Sequence, residues 1–63
     1  MALTNREALE LLVIEEADAW FDYLAATKGL TTEKYKLVEP WAWTRLHQRL
    51  RAIRARSSKL MRG

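Results

Sequence analysis

The sequence contains no cysteine, one proline and two glycines among its 63 residues. Without cysteine, the chain has neither a disulfide framework nor a thiolate metal site to stabilise it. A composition of 49% hydrophobic and 30% charged residues is typical of a packed helical chain and argues against a disordered tail. Because so short a chain buries only about 60% of the surface that its unfolded form exposes, we expect self-association or a partner to add stability.

Long apolar runs are also missing from the sequence. No run exceeds four residues, as in Leu11 to Ile14, whereas a transmembrane helix needs about 20. The first residues lack the basic segment followed by an apolar one that marks a secretory signal. We therefore expect no transmembrane segment and a cytoplasmic location.

Acidic residues are absent after Glu39, which divides the chain into halves of opposite charge. Residues 1–28 carry two basic and six acidic side chains, whereas residues 40–63 carry seven basic side chains and no acid. Such asymmetry indicates a nucleic-acid or anionic membrane surface as the partner. The two halves also attract each other, so ion pairs between them are an open alternative.

Capping signals predict a first helix over about residues 5–28. Thr4 and Glu7 fit a capping box, in which the threonine hydroxyl accepts the glutamate amide proton at the start of a helix. Gly29 supplies the left-handed residue that commonly ends a helix.

A second long helix is predicted from Pro40 to about residue 60. Proline lacks an amide proton and disfavours a helical residue before it, but it is well tolerated in the first turn of a helix. Residues 29–39 then form a short bent or helical connector. One kinked helix from Thr32 onward is the alternative.

The apolar residues predict how these helices pack. On the second helix they form a stripe about 100° wide at 100° per residue, which suits packing against one surface. The residues of this stripe are Ala42, Trp43, Leu46, Leu50, Ile53, Leu60 and Met61. On the first helix they cover more than half of the circumference, which is more than one helix can cover. The predicted fold class is therefore all-α: an antiparallel helical hairpin, one domain over residues 1–63, completed as a bundle by oligomerisation, in the simplest case a homodimeric four-helix bundle.

Aromatic and apolar residues provide the predicted partner or oligomer interface, which comprises Leu9, Leu12, Val13, Glu16, Trp20, Tyr23 and Trp41. Trp20 and Trp43 lie on core-facing arcs, whereas Trp41 points away from the apolar stripe and should be exposed or at an interface. Glu16 projects from the apolar arc of the first helix, where an unpaired carboxylate is costly, so we expect it to meet Arg49 or to lie at a subunit boundary.

Basic residues flank the apolar stripe of the second helix and form the predicted nucleic-acid-binding set: Arg45, Arg49, Arg51, Arg54, Arg56 and Lys59. Arginine suits phosphate because its guanidinium group is permanently charged and presents a fixed fork of donors. Three alternatives stay open, namely a solvated helix face, pairing with the acids of the first helix, and contact with an anionic membrane surface.

Enzymatic chemistry has little support in the sequence. His47 is the single histidine, and no serine or acid near it on the helix completes a nucleophile–base pair. Glu15, Asp18 and Asp22 share a helix face at a spacing compatible with a metal ion, but the Glu-x-x-His motif of helical carboxylate metal sites is missing. We expect a solvated acidic strip, with no metal, no cofactor and no catalytic residue.

Two functional hypotheses follow from these patterns. The first is a small non-enzymatic helical protein that binds DNA or RNA through its arginine-rich second helix, as an accessory or regulatory factor. The second is a protein–protein interaction module, such as an adaptor, inhibitor or assembly subunit, that docks through the wide apolar face of the first helix.

Overall fold

In a computed structural model, which describes residues 4–62, the chain forms two α-helices, α1 (Asn5–Thr27) and α2 (Thr32–Arg62). The helices run antiparallel, because the Asn5 side-chain amide donates to the Leu60 carbonyl at one end while the Tyr23 hydroxyl reaches Glu39 near the other. The Cα trace measures 47 × 16 × 14 Å. The predicted all-α hairpin is therefore confirmed.

Local capping explains where α1 begins and how the chain turns into α2. The Glu7 amide donates to the Thr4 hydroxyl oxygen at 3.1 Å, which confirms the predicted cap. After α1 the chain reverses at Gly29, whose φ of 71° is the left-handed conformation that glycine adopts without strain. The side chain of Thr31 then caps α2 by accepting from the Lys34 amide at 3.3 Å.

The prediction that the second long helix begins at Pro40 is wrong, and the connector is shorter than residues 29–39. The helix starts at Thr32 and continues through Pro40, as the single-helix alternative stated. Pro40 is exposed, so water can bond the carbonyl of Lys36 that the proline leaves without an amide partner. Pro40 is therefore tolerated within the helix because it lies on the solvent-exposed side of α2.

The core lies along the line where the two helices meet. Its buried residues are Leu12, Ala19, Ala42, Leu46, Leu50 and Ile53. Ala19, Leu46 and Leu50 form its centre, with Tyr23 packed against them. The small Ala19 side chain lets α2 approach α1 closely at this point. The buried residues of α2 all belong to its predicted apolar stripe, so the central part of the stripe packs against α1 as predicted, whereas Trp43 and Met61 of the stripe remain exposed.

Helix α2 leaves much of the apolar surface of α1 uncovered. The large apolar side chains of α1 that remain exposed are Leu11, Val13, Ile14, Trp20, Phe21 and Leu24. One packed helix covers only part of so wide a face, as the sequence predicted. Within residues 4–62, neither helix combines the length and the apolar character that crossing a lipid bilayer requires.

Candidate nucleic-acid interface

Two ion pairs connect α1 and α2 along one flank of the hairpin. Arg49 Nη1 lies 2.6 Å from Asp22 Oδ2, and Arg56 Nη2 lies 2.6 Å from Glu15 Oε2. The partners are two helical turns apart on each helix, so the pairs lie along the same flank. All four side chains are partly exposed, and each pair therefore contributes only about 0–1 kcal/mol to stability. Their main effect is to fix the rotation and register of the helices.

These pairs correct two predictions about the acids of α1. Glu16 does not meet Arg49, because Arg49 is bonded to Asp22 and Glu16 is exposed; its alternative place at a subunit boundary stays a prediction. Consecutive residues point about 100° apart on a helix, so Glu15 faces the arginine flank while Glu16 points away from it. The solvated acidic strip is also wrong in part, since Glu15 and Asp22 bind arginines and Asp18 alone among the three remains exposed without an ion pair within residues 4–62.

The outward side of α2 is basic. We call it the basic face and define it by its exposed cations, Arg45, Arg51, Arg54, Lys59 and Arg62. Across residues 4–62, the structure places no acidic oxygen within 4.0 Å of these five groups. They extend over about 26 Å of helix at 1.5 Å per residue and, at 100° per residue, are spread over about half of its circumference, with Arg45 and Arg54 at the two edges. Exposed polar groups of Thr44, Gln48 and Ser58 lie among them.

The structure divides the predicted nucleic-acid-binding set into two groups. Arg49 and Arg56 are held by carboxylates of α1. The other four members belong to the basic face. Arg62 joins that face although it was outside the predicted set, because α2 continues beyond the predicted end at residue 60. A signal for it was present in the sequence, since no proline or glycine separates residue 60 from Arg62.

Trp41 lines an open groove that lies beside the basic face. Its side chain is 79% exposed, which confirms that it points away from the core. The groove has a volume of about 500 Å³, and its lining includes Val38, Arg45 and Arg49. Trp41 and Arg45 are about one helical turn apart, so an indole ring and a guanidinium group border the same opening. Such a pair can stack on an unpaired base and contact its phosphate.

The opposite flank of the hairpin carries an aromatic cluster. Tyr23 makes edge-to-face contacts with Trp20 and Trp43, at ring-centroid distances of 6.3 and 5.8 Å, and Trp43 lies 4.2 Å from the His47 ring. Trp20 and Trp43 are nevertheless partly exposed, so the prediction that both lie in the core is only partly right. They form the rim of the core because the residues that fill its centre are the smaller Ala19 and Leu46.

Tyr23 also connects this cluster to the start of α2. Its hydroxyl donates to Glu39 Oε2 at 2.7 Å. This bond to a carboxylate raises the pKa of the Tyr23 phenol well above its ordinary value of about 10, and desolvation and the nearby Tyr35 hydroxyl raise it further. The phenol therefore stays protonated in the folded chain at pH values where an unfolded chain would lose the proton.

We predict that alkaline pH weakens the hairpin through Tyr23. Folding raises the pKa of the Tyr23 phenol, so its hydrogen bond to Glu39 stabilises the folded chain fully below about pH 10. This stabilisation of the folded chain is lost as the pH rises above that value. Absorbance titration in a Tyr35→Phe background should show Tyr23 ionising above pH 10. The Glu39→Gln substitution should bring its pKa back toward the ordinary value. Equal titration curves with and without Glu39→Gln would contradict the bond.

No protein-family model, curated protein or solved structure matches this chain. Residues 4–62 contain no group of three or more His, Cys, Asp or Glu side chains that could hold a metal ion. The hairpin presents to solvent a group of cations spread around the outer half of α2, with neighbouring hydroxyl and amide groups. It also presents an exposed indole ring and an apolar surface on α1.

Proposed function

We propose that this protein is a non-enzymatic DNA- or RNA-binding protein that contacts phosphate groups through the basic face of α2. Five exposed cations without a carboxylate partner in the described chain carry this proposal. Exposed arginine and lysine side chains bind phosphate oxygens by charge-assisted hydrogen bonds.

The ion pairs of the other arginines support this assignment. Arg49 and Arg56 neutralise the two carboxylates of α1 that lie nearest to α2. These two acids thus have partners of their own and do not claim the cations of the basic face. Because the basic face is exposed, its groups stay hydrated until a polyanion binds, and binding then releases the counterions condensed on the nucleic acid.

The chemistry of the basic face favours contacts to the sugar–phosphate backbone over base recognition. Cations, together with the hydroxyl of Ser58 and the amide of Gln48, are typical backbone contacts that fix position without reading sequence. Trp41 adds a ring on which an unpaired base can stack. Such a protein would act as an accessory or regulatory factor with little base specificity, in the cytoplasm, where it would meet nucleic acid.

Fluorescence anisotropy across a salt series tests this function. Labelled duplex DNA, single-stranded DNA and structured RNA are each titrated with the protein. If all five cations contact phosphates, the logarithm of the duplex binding constant should fall with the logarithm of salt concentration at a slope of about −4.5, and at about −3.5 for a single strand. Micromolar binding at low salt is expected. A lack of binding to all three probes at low salt would contradict the function.

A second candidate function is a protein–protein interaction module that docks through α1. The exposed side chains of Val13, Ile14, Phe21 and Leu24 favour it, because a soluble monomer rarely leaves so many large apolar groups together in water. An adaptor, inhibitor or assembly subunit would use this surface for a different protein. Such a partner would compete with self-association through the same surface, and the oligomeric state of the pure protein separates the two.

A further inference from the structure

A heptad pattern runs along the side of α1 that faces away from α2. We call it the α1 seam; its residues recur at alternating spacings of four and three, and they are Glu10, Ile14, Ala17, Phe21, Leu24 and, at the C-cap directly after the helix, Lys28. This spacing is that of the a and d positions of a coiled coil. The four central members are apolar, and the two end members carry opposite charges.

The position of the seam leaves it unused by the hairpin. At 100° per residue its centre lies roughly opposite Leu12 and Ala19, the residues by which α1 packs on α2. Phe21 is 69% exposed, and Ile14 and Leu24 are exposed as well. The hairpin alone therefore leaves a complete coiled-coil seam in water.

We propose that a second copy of this chain covers the seam, with the two α1 helices packed antiparallel. In an antiparallel coiled coil, a positions pack against d positions of the partner helix. One register satisfies this rule along the full seam, with Ile14 opposite Leu24 of the second copy and Ala17 opposite Phe21 of the second copy. The small Ala17 side chain then leaves room for the large Phe21 ring of the second copy. The two-fold axis repeats this contact, so it occurs twice in the dimer.

Charge selects this register and orientation. Glu10 comes opposite Lys28 of the second copy, and the two-fold axis repeats that pair at the other end of the interface. A parallel pairing would instead place Glu10 against Glu10 and Lys28 against Lys28. Shifting the antiparallel register by one heptad would place Glu10 against Phe21 or Lys28 against Ala17. Glu10 already lies 3.5 Å from Arg6 on its own helix, so the cations of both copies would flank the carboxylate.

Self-complementarity indicates a second copy as the occupant in preference to another protein. A two-fold interface requires one surface to supply both members of every contact. The α1 seam supplies both the large and the small apolar residue, and both the acid and the base. From Glu10 to Lys28 the seam is about 27 Å long, and a strip about 12 Å wide along it buries on the order of 300–400 Å² per copy, which lies at the lower limit for a specific dimer. We therefore expect micromolar dimerisation.

The arrangement of the helices in this dimer differs from the predicted four-helix bundle. Because the seam lies opposite α2, the two α1 helices form the centre and the α2 helices lie on the outside, in a single layer. If the proposed function holds, the two basic faces then point away from each other. Such a dimer would bind two nucleic-acid segments at once, whereas a monomer would bind one.

Analytical ultracentrifugation at neutral pH, over concentrations from micromolar to several hundred micromolar, tests the dimer. Wild-type protein should show a concentration-dependent monomer–dimer equilibrium. Phe21→Glu should abolish it, because the charge falls in the centre of the seam. Leu37→Glu is the matched control, since Leu37 is similarly exposed but lies on α2. It should leave dimerisation unchanged.

A charge-exchange experiment tests the register. Glu10→Lys and Lys28→Glu should each weaken the dimer by about 10-fold, because each turns both symmetric pairs from attraction to repulsion. The combined variant should restore wild-type affinity, with circular dichroism confirming equal helix content. If Phe21→Glu fails to fold, an equimolar mixture of Glu10→Cys and Lys28→Cys still reports the register, because the two variants should cross-link to each other in preference to themselves.

Three results would overturn this dimer. They are a wild-type monomer at every concentration, a dimer that folded Phe21→Glu does not disrupt, and a combined charge-exchange variant that stays as weak as the single ones. A monomer would leave the α1 seam to a different protein. It would not affect phosphate binding, which each basic face provides within one chain.

Discussion

Replacing Leu46 with alanine should leave the protein largely unfolded at 25 °C. Leu46 is 1% exposed and lies at the centre of the core, between Ala19 of α1 and Leu50 of α2. Removing a buried leucine side chain costs about 2–5 kcal/mol, because apolar contacts are lost and a cavity remains. A single core in a chain of this size supplies no more than about 3–5 kcal/mol of stability. One substitution therefore removes most of what holds the hairpin together.

Leu37→Ala is the control for this experiment. It makes the same chemical change on α2, but Leu37 is 73% exposed, so the free energy of unfolding should change by no more than about 0.5 kcal/mol. Urea unfolding followed by far-ultraviolet circular dichroism measures both variants. A loss of less than about 1 kcal/mol for Leu46→Ala, or equal losses for both variants, would mean that Leu46 is not at the centre of the core.

Neutralising three cations of the basic face should have the largest effect on nucleic-acid binding. In the triple variant Arg51→Gln, Arg54→Gln and Lys59→Gln, three of five phosphate contacts are lost. The salt slope for duplex DNA should fall from about −4.5 to about −1.8, and affinity at low salt should fall by about 100-fold. The hairpin should remain folded, because these exposed side chains make no ion pair with an acid within residues 4–62.

The double variant Arg49→Gln and Arg56→Gln is the matched control. It also removes positive charge from α2, but both arginines are bonded to carboxylates of α1. Its salt slope should stay near that of the wild type, while its stability should fall by about 0–2 kcal/mol from the two lost pairs. If the double variant loses the salt slope and the triple variant keeps it, the phosphate-binding residues lie on the paired flank and not on the basic face.

The sequence predicts the fold well and one helix boundary poorly. The cap at Thr4 and the left-handed Gly29 are local signals, because each depends on residues within one turn of the chain. Pro40 led to the wrong helix boundary because the free-energy cost of a proline in a helix depends on the surroundings of that proline. When proline falls on the exposed face of a helix, water replaces the missing bond, and flanking turns that pack on α1 keep the helix continuous.

The candidate site is less predictable, because it depends on how far each helix is rotated about its axis. The sequence shows an excess of arginine on α2 and of acids on α1, and it predicts attraction between them. Which acid meets which arginine is decided by packing of Ala19 against Leu46, and a rotation of one residue exchanges Glu15 for Glu16. The separation of paired and unpaired arginines therefore appears only in three dimensions.

The two outer surfaces of the hairpin can act independently. The basic face belongs to α2 and the α1 seam to α1, and the core between them holds both in place. Dimerisation through the seam would leave both basic faces exposed. Avidity would then raise the affinity for long nucleic acid above that of a single hairpin, provided that both faces can engage at once.

The most direct test of phosphate binding by the basic face is a nuclear magnetic resonance titration. ¹⁵N-labelled protein is titrated with a short DNA, and the Nε–Hε signals of the arginine side chains are followed. The signals of Arg51 and Arg54 should shift as DNA is added, while those of Arg49 and Arg56, which are held by carboxylates, should stay in place. Shifts confined to Arg49 and Arg56 or to α1, or no shift at all, would contradict the proposed interface.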